Sequence, residues 1–223
     1  MERIRLTPRL RAAADFVRPG DRVADVGTDH GYLPVWLRQR NVSPRVIASD
    51  IRPGPLASAR ASARRWEVEG IDFRLCPGLA DVGCEEADTV VIAGMSGETM
   101  IGILADCGWN WAGKRLILQP MTKRPELLTW LYAHGFSLRE ERLVAEGKKF
   151  YWVLCVEAGQ EPLPRLAHLW AGFTETAYAA QLRTRLEKAL AGLQSAAEPD
   201  EAEIRKTKEI LEDMRDAYGW TDL

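Results

Sequence analysis

Five short β-branched or apolar runs recur along the first half of the chain with helix-patterned segments between them: RVADVG (22–27), RVIASD (45–50), IDFRL (71–75), DTVVIAG (88–94) and RLILQP (115–120). Strands that read as continuous apolar runs are buried on both faces, and alternation with helices makes them parallel members of one covered sheet. The intervening YLPVWLRQR, PLASARASARRWEVEG and GETMIGILADCG read as helices, the second closed at Gly70. RPELLTWLYAHGF adds a helix closed by Gly135, and SLREERLVAEGKKFYWVLCVEAG predicts two antiparallel strands around EGKK, a hairpin at the sheet edge.

The pattern changes after Gly159. Between residues 163 and 195, Leu182, Leu186, Ala189 and Leu193 form one stripe at helical spacing; SAAEPDE interrupts it, and Ile204, Thr207, Leu211, Met214 and Tyr218 form a second. The expected organisation is an α/β domain over 1–159 and a helical hairpin over 160–223. Each arm of the hairpin spans up to about 30 residues, roughly 45 Å.

A chain of 223 residues with 46% apolar residues and eight Trp can bury a sizeable core. Its formal net charge of -2 denies it the basic excess of a protein that binds nucleic acid by bulk electrostatics, so any such contact is local. The imbalance is regional: residues 1–159 carry 22 Lys+Arg against 20 Asp+Glu, and the remainder 8 against 12. The four Cys form no CxxC pair and have three His for company, so no structural metal is expected and reduced packing thiols are. With no signal-like start and no apolar run near membrane-spanning length, the expectation is a soluble, cytoplasmic protein without membrane contact.

The first strand ends in DVGTDHG. In an open parallel sheet, ligands sit outside the carboxyl ends of strands where the strand order reverses, and the loop after strand one takes the cofactor. Gly27 and Gly31 let the backbone approach a ligand, whereas Asp25 and Asp29 favour positive charge or donors over a pyrophosphate. G-x-x-x-G with acids inside it is not the dinucleotide fingerprint, which disfavours NAD. The second strand closes on Asp50, 23 residues after Gly27, where a carboxylate accepts both ribose hydroxyls of an adenosine. These acids together select S-adenosylmethionine. His30 borders the same turn, either as a hydrogen-bonded structural residue or as a participant in chemistry.

DVGTDHGYLP, VVIAGMSGETMIGIL, and RLILQP followed by LLTWLYAHGFSL, over about residues 4–158, together resemble the bacterial tRNA adenine-22 N1-methyltransferase family. The resemblance implies a Rossmann-like class I methyltransferase sheet with helices on both faces and a C-terminal coiled coil. It also implies methyl transfer from S-adenosylmethionine to N1 of an adenine in tRNA. Carried over residue by residue, it puts Asp25, Gly27 and Gly31 around the methionine part of the cofactor and Asp50 on its ribose. Gly78 and Leu79 then flank the adenine, Ala93, Gly94 and Met95 line the gap where methyl meets target base, and Arg9 and Leu10 form a lid. The chain departs from the family pattern at Pro77, Ser96 and Met121.

Adenine N1 carries a lone pair, so attack needs no strong base; charge developing on the ring and loss of an N6 proton are eased by a carboxylate. Asp29, His30 and Met95 are therefore the expected catalytic group, with orientation of the cofactor as the other reading of Asp29. A base splayed out of tRNA is stacked on flat side chains, which suggests Tyr32, and Gln119 lies where the substrate passes. Lys123 and Arg124 are expected phosphate contacts, as are Arg3, Arg5, Arg9, Arg11, Lys148 and Lys149. The expected partner is tRNA, the hairpin its contacting arm, and the protein a monomer or weak dimer. Two alternatives stay open: a methyltransferase for another RNA or small molecule, and a non-catalytic RNA-binding relative.

Overall fold

The computed structural model describes residues 3–174 and 176–220. They fall into two compact units, Met1–Glu161 and Pro162–Leu223.

The first unit opens with α1 (Pro8–Asp15) and then alternates β1 (Val23–Val26), α2 (Tyr32–Gln39), β2 (Val46–Asp50), α3 (Pro53–Arg65) and β3 (Ile71–Leu75). It continues with β4 (Thr89–Ser96), α4 (Gly97–Asp106), β5 (Arg115–Thr122), α5 (Arg124–Ala133), β6 (Phe136–Glu146) and β7 (Lys149–Ala158). One mixed sheet results, in the order β3-β2-β1-β4-β5-β7-β6. The first five strands pair in parallel, and β7 is antiparallel to both β5 and β6. This is a Rossmann-like α/β fold.

The apolar runs become strands because both faces are covered. Val23 and Val46, Val90 to Ile92, and Leu116 to Leu118 are 0% exposed. Fully burying a side chain of this kind stabilises by about 1.5–3 kcal/mol, so these strands hold the sheet together. The chain reverses direction across the sheet between β1 and β4, where Val26 pairs with Ile92. The loops that follow those two strands therefore diverge at the same place and leave a crevice.

Two expected boundaries move. Helix α3 ends at Arg65 rather than at Gly70: Trp66 caps it, Glu67 takes the left-handed turn (φ 51), and Gly70 (φ 79) turns the chain into β3. The LTPRL segment is not a bare lid but leads into α1, with Pro8 in its first turn, where the missing N–H costs nothing.

The second unit contains α6 (Leu166–Ala171), α7 (Ala177–Gln194) and α8 (Glu201–Tyr218). The continuous helical run expected over 163–195 is broken at Gly172, whose φ of 90 and ψ of 178 end α6, while the Leu182–Leu193 stripe lies whole within α7. Helices α7 and α8 have 18 residues each, about 27 Å and not the 45 Å upper bound. Ala167, Ala171, Ala179, Leu182, Ile210 and Met214 form their shared core. Asp213 ties α6 to α8 by accepting from Arg165 and from the Ala167 amide, both at 2.6 Å. The Thr176 and Asp200 side chains cap the N-termini of α7 and α8. Among the described residues no helix is long and apolar enough to cross a membrane.

Candidate active site

A cleft of about 580 Å³ lies at the carboxyl ends of β1, β2 and β4. Its floor is the turn after β1. Gly27 (φ 75) and Asp29 (φ 50) are both left-handed, a conformation that Gly adopts freely and Asp tolerates. The Gly27 and Thr28 amides both donate to Ser49 O, at 2.8 and 2.9 Å, which fastens the turn to the end of β2. Gly31 (φ 69) is part of the same turn but does not line the cleft; it packs against Ala59 of α3, with no space for a side chain.

Two buried carboxylates face this floor. Asp25 is 5% exposed and Asp50 6%. Burial pushes the Asp25 carboxyl up to about 6; the nearby Thr28 hydroxyl works in the opposite direction, and the charge of Asp50 adds to the rise. Asp50 Oδ1 accepts from the Arg52 amide at 2.9 Å, which sets the carboxylate at the rim. Thr28 Oγ1 is buried beside the Asp25 carboxyl. A buried hydroxyl and a buried carboxylate of raised pKa both gain from a ligand that brings donors and positive charge.

The opposite wall is the end of β4. Its register with β5 shifts on either side of Met95, so that Gly94 bulges out of the ladder. The Gly94 amide donates instead to Gln119 Oε1 at 3.1 Å, and Gln119, 1% exposed, donates from Nε2 to Pro120 O and Met121 Sδ. Gly94 (φ 80) faces open space. Cys76, Pro77, Gly78 and Ile103 close the adenine side expected from the sequence, whereas Leu79 is 3% exposed and lies outside the cleft lining.

Arg9 and Leu10 reach the rim from α1. Arg9 is anchored to the β6–β7 hairpin, with Nε 3.7 Å from Glu146, its guanidinium 5.2 Å from the Tyr151 ring centre, and Nη1 donating to Met121 Sδ. At the other side His30 and Tyr32 stack with ring centres 5.4 Å apart and planes 18° apart, and His30 Nε2 is 3.7 Å from Asp29 Oδ2.

Two expected substrate contacts lie outside the cleft lining. Lys123 (φ 61) stands at the start of α5, 3.2 Å from Glu126 and 3.8 Å from Glu98. Arg124 is 6% exposed, pairs with Glu141 and stacks over Trp152 at 4.6 Å, so its charge is engaged inside the fold rather than offered to a phosphate. Sequence reasoning missed Thr7, Thr28, Ile51, Thr99 and Ile103 of the lining. Thr28 and Ile51 had a signal: one sits inside DVGTDHG and the other, 67% exposed, directly follows Asp50.

This donor set suits a ligand with an ammonium group, a ribose and a flat base, and does not suit a pyrophosphate. Among the described residues no group of three His, Cys, Asp or Glu is placed to hold a metal.

Residues 6–154 match the family described as a methyltransferase domain. The chain is 35% identical over 161 residues to the tRNA (adenine(22)-N(1))-methyltransferase of Bacillus subtilis, covering 71% of this chain and 68% of that relative. It superposes on the crystal structure of the B. subtilis M1A22 tRNA methyltransferase TrmK with a TM-score of 0.86 at 26% identity, covering 96% of this chain and 99% of that one. The crystal structure of Streptococcus pneumoniae Sp1610 in complex with S-adenosyl-L-methionine superposes with a TM-score of 0.79 at 32% identity, over 93% of this chain and 100% of that one.

Proposed function

Because the chain belongs to the methyltransferase-domain family and, within it, to the bacterial tRNA (adenine-N1)-methyltransferases, we propose that it methylates N1 of adenine 22 in tRNA. S-adenosylmethionine is the methyl donor, and the transfer is an in-line displacement at its sulfonium. The observation that carries this reading is the pair of buried carboxylates, Asp25 and Asp50, flanking the Gly27 turn in a cleft that opens beside the Gly94 bulge.

The residues divide the work by position. Asp25, with the Thr28 hydroxyl, receives the ammonium and methionine end; Asp50 receives the ribose hydroxyls; Ile51, Pro77, Gly78 and Ile103 flank the adenine ring. The Ala93–Met95 wall leaves the target base its place against the donor. The His30–Tyr32 stack supplies the flat surface for an extruded base. Asp29, at the rim and 3.7 Å from His30, stabilises charge developing on the target ring and eases loss of the N6 proton. Catalysis here is mainly alignment of nucleophile, methyl and leaving sulfur. Asp29→Asn therefore lowers kcat more than it raises the KM for the donor; the opposite split assigns Asp29 to cofactor orientation.

Lys123 contacts a phosphate at the edge of the site. The coiled-coil pair α7 and α8 acts as the RNA-contacting arm, through local basic residues such as Arg185, Lys188 and Lys208, in a cytoplasmic protein that works as a monomer or weak dimer. Incubation with labelled S-adenosylmethionine and bulk bacterial tRNA, followed by nucleoside analysis, tests the function. The expected product is 1-methyladenosine, absent from an Asp50→Ala control and from tRNA with guanine at position 22. Label in another nucleoside, or none with donor binding intact, overturns the reading.

A further inference from the structure

The arginines of the first unit divide into two groups. Most meet carboxylates: Arg22 with Asp88, Arg74 with Glu86 and Asp72, Arg115 with Glu157. Arg40, at the C-terminus of α2, does not. Its Nη1 is buried without a hydrogen-bond partner, its guanidinium stacks on Trp36 at 4.4 Å, and Arg11 stacks on the same indole at 5.0 Å. Burial, and after it the positive charges of Arg3 and Arg11, hold Arg40 below its ordinary pKa. Asp15 pairs with Arg11 at 2.7 Å and with Arg142 at 3.2 Å and so neutralises only part of this cluster. Like charges gathered round a buried donor are unfavourable unless an anion joins them.

The place of the cluster connects it to the active site. Tyr32, Trp36 and Arg40 follow one another at four-residue steps along α2, about 6 Å each, so Arg40 lies roughly 12 Å from the cleft mouth on the same helix face. Helix α1 carries Arg9 on the cleft rim and, two residues on and so on a different face, Arg11 in the cluster. Beyond them Arg3 also lines a second recess of about 780 Å³ with Arg60, Arg64 and Trp66, whose other wall carries Glu67 and Glu69.

We propose that the α1–α2 face, with Arg11 and Arg40 stacked on Trp36 and the charge of Arg3 close to Arg40, binds the phosphodiester backbone of the tRNA strand leading away from the target adenine. The inference rests on the tRNA methyltransferase reading and adds to it the track that the RNA follows across the first unit. The Trp36 ring is buried, 5% exposed, and so holds the two guanidinium groups in place rather than stacking on a base; the phosphates complete the missing counter-charge.

The test is tRNA affinity by filter binding over a range of salt concentrations for Arg3→Gln, Arg40→Gln, the double variant and Arg40→Lys. Donor affinity by calorimetry, thermal melting and kcat at saturating tRNA are measured in parallel. Each neutral variant is expected to weaken tRNA binding about fivefold at physiological salt and to reduce the salt slope by about 0.7–0.9. Arg40→Lys keeps the slope, while donor affinity and kcat stay unchanged. Should Arg40→Gln fail to fold, Arg3→Gln carries the test, since its side chain is exposed. Folded variants with wild-type affinity and slope overturn the inference, even if the wild type forms 1-methyladenosine. A wild type that binds tRNA through these arginines and forms none overturns the proposed function alone.

Discussion

The Met95 side chain closes over Gly27: its Cε occupies the space that a β-carbon on Gly27 would need. The end of β4 and the turn after β1 are thus fitted to each other as well as to a ligand. Gly27 is also left-handed (φ 75), which costs an L-residue about 1–2 kcal/mol. Gly27→Ala is expected to lower the melting temperature and to weaken S-adenosylmethionine at least about tenfold, or 1.4 kcal/mol. Adding Met95→Ala removes the collision and leaves the backbone strain, so the double variant recovers only part of the stability. Calorimetry showing wild-type donor affinity in Gly27→Ala would contradict this.

The Asp25 carboxyl, raised to about 6, makes the protein pH-sensitive in a defined direction. The folded protein holds this proton more tightly than the unfolded chain, so stability without ligand falls as pH rises from about 4 towards 6 and levels off above. A shift of this size corresponds to about 3 kcal/mol. Asp25→Asn is expected to melt higher than wild type at neutral pH and to bind the donor more weakly. Wild-type donor affinity rises with pH through about 6, and that of Asp25→Asn stays flat. Identical pH profiles for the two proteins would assign the dependence to another group.

Gln119 is a positioning residue, because its carbonyl carries the Gly94 amide where the strand ladder is interrupted. Gln119→Leu takes that partner from the amide, a net loss of about 0.5–1.5 kcal/mol because Gly94 is exposed and water can replace it. The expected result is a kcat reduced by about tenfold or more, as alignment is lost, with donor affinity changed by less than about threefold. Equal loss of donor affinity and kcat would show that Gln119 supports the donor pocket instead.

Arg124 and Glu141 form a buried pair, with side chains 7% and 12% exposed. Removing one partner strands the other charge, so Arg124→Ala is expected to cost about 3–5 kcal/mol in urea unfolding. At a temperature where the variant is folded, the salt slope of tRNA binding stays that of wild type. A shallower slope with unchanged stability would restore Arg124 as a phosphate contact.

What could be read in advance follows from how local each feature is. The four inner parallel strands are legible because burial on both faces makes each a largely apolar run, and the edge strand β3 because Ile71, Phe73 and Leu75 alternate with Asp72 and Arg74. The donor turn is legible because ligand chemistry is written in adjacent residues, Asp25 to Gly31. Helix α1 escaped because its buried side chains are three alanines, Ala12 to Ala14, too small to mark an apolar stripe. The break at Gly172 lies N-terminal to the Leu182–Leu193 stripe, in a stretch from 165 to 176 that holds no proline to mark it. The inward turn of Arg124 depends on Glu141 and Trp152, which are far along the chain and meet it only through the β6–β7 hairpin. The link from Gln119 to Gly94 likewise exists only once β4 bulges.

The buried Asp25 carboxyl, pushed up by burial, leaves the interior at the end of β1 electrostatically incomplete until a ligand arrives. Whatever completes it adds to folding free energy by mass action, by about 2.7 kcal/mol at a hundred times the dissociation constant. Withdrawing the methyl donor therefore loosens the fold as well as idling the site.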